Sequence, residues 1–225
     1  MIRINENMKY LYEGTCFGVL AVSGFCPQAE ANESFDRHAK EVLERIRNKA
    51  EGYERKAFIE SDPVIAAYVK YYKKFKKSYH VLLQTESAMK GRELPDASPL
   101  IRTLLLTELE TGTLIAAHDL DTAKPPFEIF CAEGGESYIG AGERDVTLKP
   151  NDISMRDKEG VILSIIYGQD HRTRITDSTQ NFFFLIDGVP GISKKQMSDV
   201  LDTLLDNLML YDTKVRVEEK SVLSC

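Results

Sequence analysis

No apolar segment of this chain approaches the roughly twenty residues that a membrane span needs, so no part of it reads as a transmembrane helix. The first residues, Met1 to Asn7, lack a basic stretch followed by an apolar one, which predicts a soluble, unexported, cytoplasmic protein. Cysteine is scarce. Cys16, Cys26, Cys131 and Cys225 form no C-x-x-C pair and have no histidine at ligand spacing, which argues against zinc and a disulfide framework and for reduced thiols. His38, His80, His118 and His171 lie far apart, so no bound metal is expected. There is no P-loop, no dinucleotide fingerprint and no other ATP-binding motif, and Ser164 is outside a G-x-S-x-G elbow. Neither a cofactor, nor ligation driven by ATP, nor a nucleophilic triad is expected. A basic surplus is missing too. With a net charge of −6, any contact with nucleic acid has to be local.

What is present suffices for one globular unit over 1–225, since 43% of the residues are hydrophobic and 28% charged, proportions that fit neither disorder nor a fibre. Cys16 to Phe25 reads as a buried early strand. Apolar residues at spacings of three and four, from Phe35 through Val42 and Ile46 to Ala50, predict a helix from Asn32 or Ser34 to about Gly52. Asp62-Pro63 should open another, because aspartate caps and proline suits the first helical position. A third runs from His80 to Lys90, and Leu94-Pro95 turns the chain toward the apolar stretch 99–106. From Leu114 on, glycine-rich turns recur about every ten residues, as in a sandwich or barrel, so the β core is expected between Leu114 and Ile186. Asn181 to Ile186 (NFFFLI) should be a strand buried on both faces, Ser193 should cap a last helix, and Thr213 to Cys225 reads as a polar, frayed tail.

Two polar clusters each follow an apolar run. His118, Asp119 and Asp121 end the first; Gly168, Asp170, Arg172 and Thr173 follow Tyr167 in the second. Such strand ends can face one pocket or can serve as ordinary turns. A third cluster, Lys70, Lys73, Lys74, Lys76 and Lys77, alternates with Tyr68, Tyr71, Tyr72 and Phe75. It is either a solvated helix face or a local surface for a phosphate backbone and stacked bases.

The order of several segments resembles a known family. Pro63-Val64-Ile65-Ala66-Ala67-Tyr68, the Gly91 to Pro95 turn, His118 to Asp121, Gly135-Glu136 and Thr176 to Asn181 resemble the B-three/B-four editing domain of the phenylalanyl-tRNA synthetase β subunit, in particular its free-standing members. The likeness spans residues 63–191. It implies an α+β fold of the synthetase editing-domain type, a β-sandwich-like core with flanking helices. It also implies binding of an aminoacylated tRNA 3′ end and hydrolysis of mischarged esters in trans, with no membrane and no DNA as partner.

Individual residues depart from the family pattern. Its histidine falls on Ala116, its glutamate on Leu185 with Asp187 as the next candidate on that face, and its helix Asp and Asn on Arg102 and Leu105. Ester hydrolysis needs a positioned water, a stabilised oxyanion and a grip on the substrate. The resemblance therefore implies His118 orienting or deprotonating water, Asp119 or Asp121 holding the imidazole or the substrate ammonium, and amides near Gly168 at the oxyanion. Asp170, Arg172, Thr173, Thr179 and Asn181 are the expected substrate contacts, and Lys70, Lys73, Lys74 and Lys77 the expected RNA contacts. A non-catalytic module that binds tRNA ends, nucleotides or amino acids on the same fold is the second reading.

Overall fold

In chain order the elements are β1 (Ile2–Ile4), α1 (Glu6–Leu11), β2 (Cys16–Ser23), α2 (Ala31–Asn48), α3 (Arg55–Ser61), α4 (Pro63–Lys74), α5 (His80–Met89), α6 (Pro99–Thr111), β3 (Ile115–Asp119), β4 (Phe127–Cys131), β5 (Ser137–Ile139), β6 (Asp145–Thr147), β7 (Ile153–Asp157), β8 (Gly160–Ser164), β9 (Gly168–Gln169), β10 (Phe182–Ile186), α7 (Lys194–Met209) and β11 (Arg216–Ser224). They come from a computed structural model that describes residues 2–28 and 31–225. The fold is α+β.

The apolar run at Phe182 becomes β10, inside an antiparallel sheet of order β11-β2-β10-β3, and every residue of the strand is buried. Alternation sends its side chains to two faces. Phe183 stacks on His118 and lies 5.0 Å from the ring of Phe127 on β4, so there the sheet meets the second one, β1-β4-β7-β8-β9. Helix α7 packs on β2, β10 and β11 and buries Met197, Val200, Leu201, Leu204 and Leu208. Gly188 lets the chain leave β10 hard against β2, since a Cβ there would sit 2.0 Å from the carbonyl oxygen of Cys16.

Local signals set the helix starts. Asp62 Oδ1 accepts from the amides of Val64 (3.0 Å) and Ile65 (3.1 Å) ahead of Pro63, and Ser193 forms a capping box with Gln196. Helix α4 then buries Tyr68, Tyr71, Tyr72 and the adjoining Phe75, so these rings are not available to stack bases as the alternating pattern suggested. Their hydroxyls tie the helical layer to the strands. Tyr68 donates to the carbonyl of Asp187 (2.5 Å), Tyr71 to Asp152 Oδ1 (2.8 Å), and Tyr72 to the carbonyl of Ile165 (2.6 Å).

Two expectations need correction. Thr213 to Cys225 is not a frayed tail: within it β11 pairs along β2, with a bulge between Val217 and Glu219. An edge strand needs a backbone partner more than burial, and Glu218, Glu219 and Lys220 leave it reading as polar. The β core is not confined to 114–186, because β2 and β11 supply half of one sheet. The apolar stretch after Ser98 is the helix α6, ended by Gly112 in the left-handed region (φ 68°).

Candidate functional site

The two polar clusters do meet. His118 bridges to Arg174, and the amide of Asp119 donates to the carbonyl of Thr173 at 2.8 Å. His118 and Asp119 close on Thr173 and Arg174, while Gly168, Gln169 and Ile175 border a cavity on the other side. His118 is fully buried, with Nδ1 2.7 Å from Thr173 Oγ1. The Thr173 hydroxyl gives its proton to Asp170, so it accepts from Nδ1–H, and Nε2 has no protein partner. Burial lowers the His118 pKa to about 3, with Asp157 opposing and Arg172 reinforcing the shift. A neutral imidazole sealed from solvent does not fit the expected role in activating water.

The neighbouring groups are committed to holding turns. Asp119 accepts from the amide of Asp121 (2.8 Å) and from Thr179 Oγ1 (2.6 Å), an Asx turn. Asp121, exposed, accepts from Asn181 Nδ2 at 3.1 Å, and Asn181 Oδ1 accepts from the amide of Gly24. Arg172 reaches both oxygens of Asp157 at 2.9 Å and the carbonyl of Thr122 at 3.2 Å. That is an ion pair within the fold, not the free cation a substrate contact requires. Among these residues, Gly168 lines the cavity described next.

A cavity of about 420 Å³ lies between α6, β3 and β9. Leu104, Leu105 and Ile175 give it apolar walls, and Ala116 and Ala117 leave room along β3. Gln169 is fixed across it by accepting from the amide of Ala117 at 3.3 Å. At the deep end lie two acids. Glu108, 2% exposed, accepts from the amide of Ile115 at 3.0 Å, and burial pushes its pKa up to about 8. Asp187 is 1% exposed and its Oδ1 has no donor among the described residues; burial first, then Glu108 and Asp152, hold its pKa well above the carboxylate range. Alternation along β10 puts Asp187 on the face of Leu185, which is paired with Ala116. That is why the same-face argument from the sequence reaches Asp187. Glu108 escapes that argument, although an acid at the position completing the Ile101, Leu104 spacing interrupts an apolar helix stripe.

The lysines divide. Lys77 stands 4.1 Å from the ring centroid of Tyr167 and, with Lys73, lines a recess of about 560 Å³ beside α3 that is separate from this cavity. Lys74 turns the other way, over Tyr12 and Tyr71, and with Lys76 and Lys149 lines a recess of about 600 Å³. Lys70 and Lys73 are exposed. Among the described residues no group of three or more His, Cys, Asp or Glu side chains is placed to hold a metal ion, and no helix is long and apolar enough to cross a membrane.

Residues 64–208 match the B3/4 domain. The chain belongs to the B3/4 domain family. The matched span contains every wall of the cavity. No curated protein matches the chain. Among solved structures, the chain is similar to an N-terminal fragment of the phenylalanyl-tRNA synthetase β subunit from Pyrococcus horikoshii, at 12% identity and a TM-score of 0.48. The match covers 97% of this chain and 54% of that one, so this B3/4 protein spans about half of the fragment's length.

Proposed function

We propose that this B3/4 domain protein receives the aminoacylated 3′ end of a tRNA in the cavity between α6, β3 and β9, and hydrolyses mischarged esters there in trans. The observation that carries the reading is the cavity itself, which lies wholly within the matched span. Its 420 Å³ falls inside the roughly 300–1,000 Å³ of small-ligand sites, with apolar walls and few, fixed polar groups. An aminoacyl ester is already activated, so a positioned water and an oxyanion donor suffice. Gln169 has its oxygen taken by Ala117, which leaves its amide N–H groups to orient a water or the ester. Glu108, whose pKa burial raises to about 8, is an acid of the same cavity that changes protonation close to neutrality. Lys70, Lys73, Lys74 and Lys77 give a chain of net charge −6 the local positive surface that tRNA phosphates require.

A non-catalytic binding module is the competing reading, favoured by one observation: His118, Asp119 and Asp121 are all occupied within the fold. A panel of misacylated tRNAs, each incubated with the protein, separates the two. Loss of one or a few esters well above the buffer rate is expected. Retention of every ester at the buffer rate, with tRNA still bound, would establish the binding module instead.

A further inference from the structure

We infer that the deep end of the cavity is a seat for a primary ammonium group carried on an apolar body, held between the carboxylates of Glu108 and Asp187. The inference deepens the proposed function by naming the charge the site takes. It rests on the same cavity but not on ester hydrolysis. Asp187 is the decisive side chain: 1% exposed and lining the cavity, it has an Oδ1 that receives no hydrogen bond from the described residues. Ionising a buried acid that has no partner costs several kcal/mol, which a bound cation offsets. Glu108, near enough to act electrostatically on Asp187, accepts from the amide of Ile115.

Among the described residues no lysine or arginine is paired with either acid, and Arg174, the one guanidinium at the cavity, donates to the carbonyl of His171. His80 of α5 lines the mouth, exposed, with Nδ1 3.5 Å from the Tyr72 hydroxyl. Asp152 acts on Asp187 only as a further negative charge. The hydroxyls of Tyr68, Tyr72 and Tyr79 are already spent on the carbonyls of Asp187, Ile165 and Gly112. A cation that ionises the pair therefore comes from a ligand. An ammonium offers three donors in a compact head, matching carboxylate oxygens, while Leu104, Leu105 and Ile175 face the rest of the ligand. Because burial raises both acids, ammonium binding drives a proton off the pair, and affinity rises with pH until the amine itself loses its proton.

Calorimetric titration of the full chain with 2-phenylethylamine and with 2-phenylethanol, which differ at the head group alone, tests this at pH 6.5, 7.5 and 8.5. Paired buffers of different ionisation heat report proton release. The amine should bind at least about tenfold tighter than the alcohol, more tightly at pH 8.5 than at 6.5, and with release of a proton. Glu108→Gln and Asp187→Asn should each cut amine affinity about tenfold and leave the alcohol unchanged. The amides preserve shape, and the carbonyl oxygen that Glu108→Gln retains can still accept from the amide of Ile115. Equal binding of the two probes, binding of neither, or amine affinity indifferent to both substitutions would overturn the ammonium seat. Should a variant not fold, the comparison of the two probes on the unaltered chain still decides. No tRNA is involved, so hydrolysis of misacylated tRNA without amine binding would sink the seat and leave the proposed function standing.

Discussion

Glu108 and His118 make opposite demands on pH. The Glu108 carboxyl, raised from 4.5 to about 8 in the fold, binds more protons folded than unfolded between those values, so stability falls as pH rises through that window. Glu108→Gln removes the penalty. It should raise stability at pH 8 by on the order of 1–3 kcal/mol and leave pH 4 nearly unchanged, as read by urea unfolding at both. No gain at pH 8 would mean that the buried acid is compensated after all. His118 is lowered from 6.5 to about 3, so the folded state binds fewer protons in that range and stability falls as pH drops through it. His118→Phe, which keeps a ring against Phe183, should make the loss of stability between pH 6.5 and 4 shallower. An unchanged slope would contradict the sealed, neutral imidazole. The sequence made it legible that the His118 and Arg172 clusters come together, because each ends an apolar run. It did not reveal that they satisfy one another, since spacing cannot tell a strand end that faces a cavity from one that faces its neighbour.

Elements were the most legible scale. Asp62-Pro63 and Ser193 with Gln196 announce helices through hydrogen-bond chemistry that acts within four residues, and the phenylalanines of β10 announce a strand buried on both faces. What stayed hidden depends on distant partners. Strand β11 exists through pairing with β2, anchored at its end where the amide of Cys225 donates to the carbonyl of Thr15 at 3.1 Å. Removing 213–225 should expose the edge of β2 and shift the protein to higher-mass species in size-exclusion chromatography. A truncated chain that runs as the full one does would show that β11 protects nothing. The α4 tyrosines make a second test. Tyr72→Phe leaves the buried carbonyl of Ile165 without its donor and should cost about 1–3 kcal/mol, measured by denaturant unfolding.

For the whole molecule, charge and cavity have to work together. An acidic chain can hold tRNA only through a local surface, so Lys73→Glu with Lys74→Glu should weaken tRNA binding and flatten its salt dependence while sparing small ligands of the cavity. An unaltered salt slope would place the RNA elsewhere. The cavity between α6, β3 and β9, rather than the His118 cluster, is where the aminoacyl end is proposed to sit. The most direct measurement is calorimetric binding of a non-hydrolysable 3′-aminoacylamide of adenosine to the unaltered chain, to Ala116→Phe, which fills the cavity, and to His118→Phe. The expected result is affinity reduced at least about tenfold by Ala116→Phe and unchanged by His118→Phe. Affinity kept by Ala116→Phe and lost with His118→Phe would contradict it.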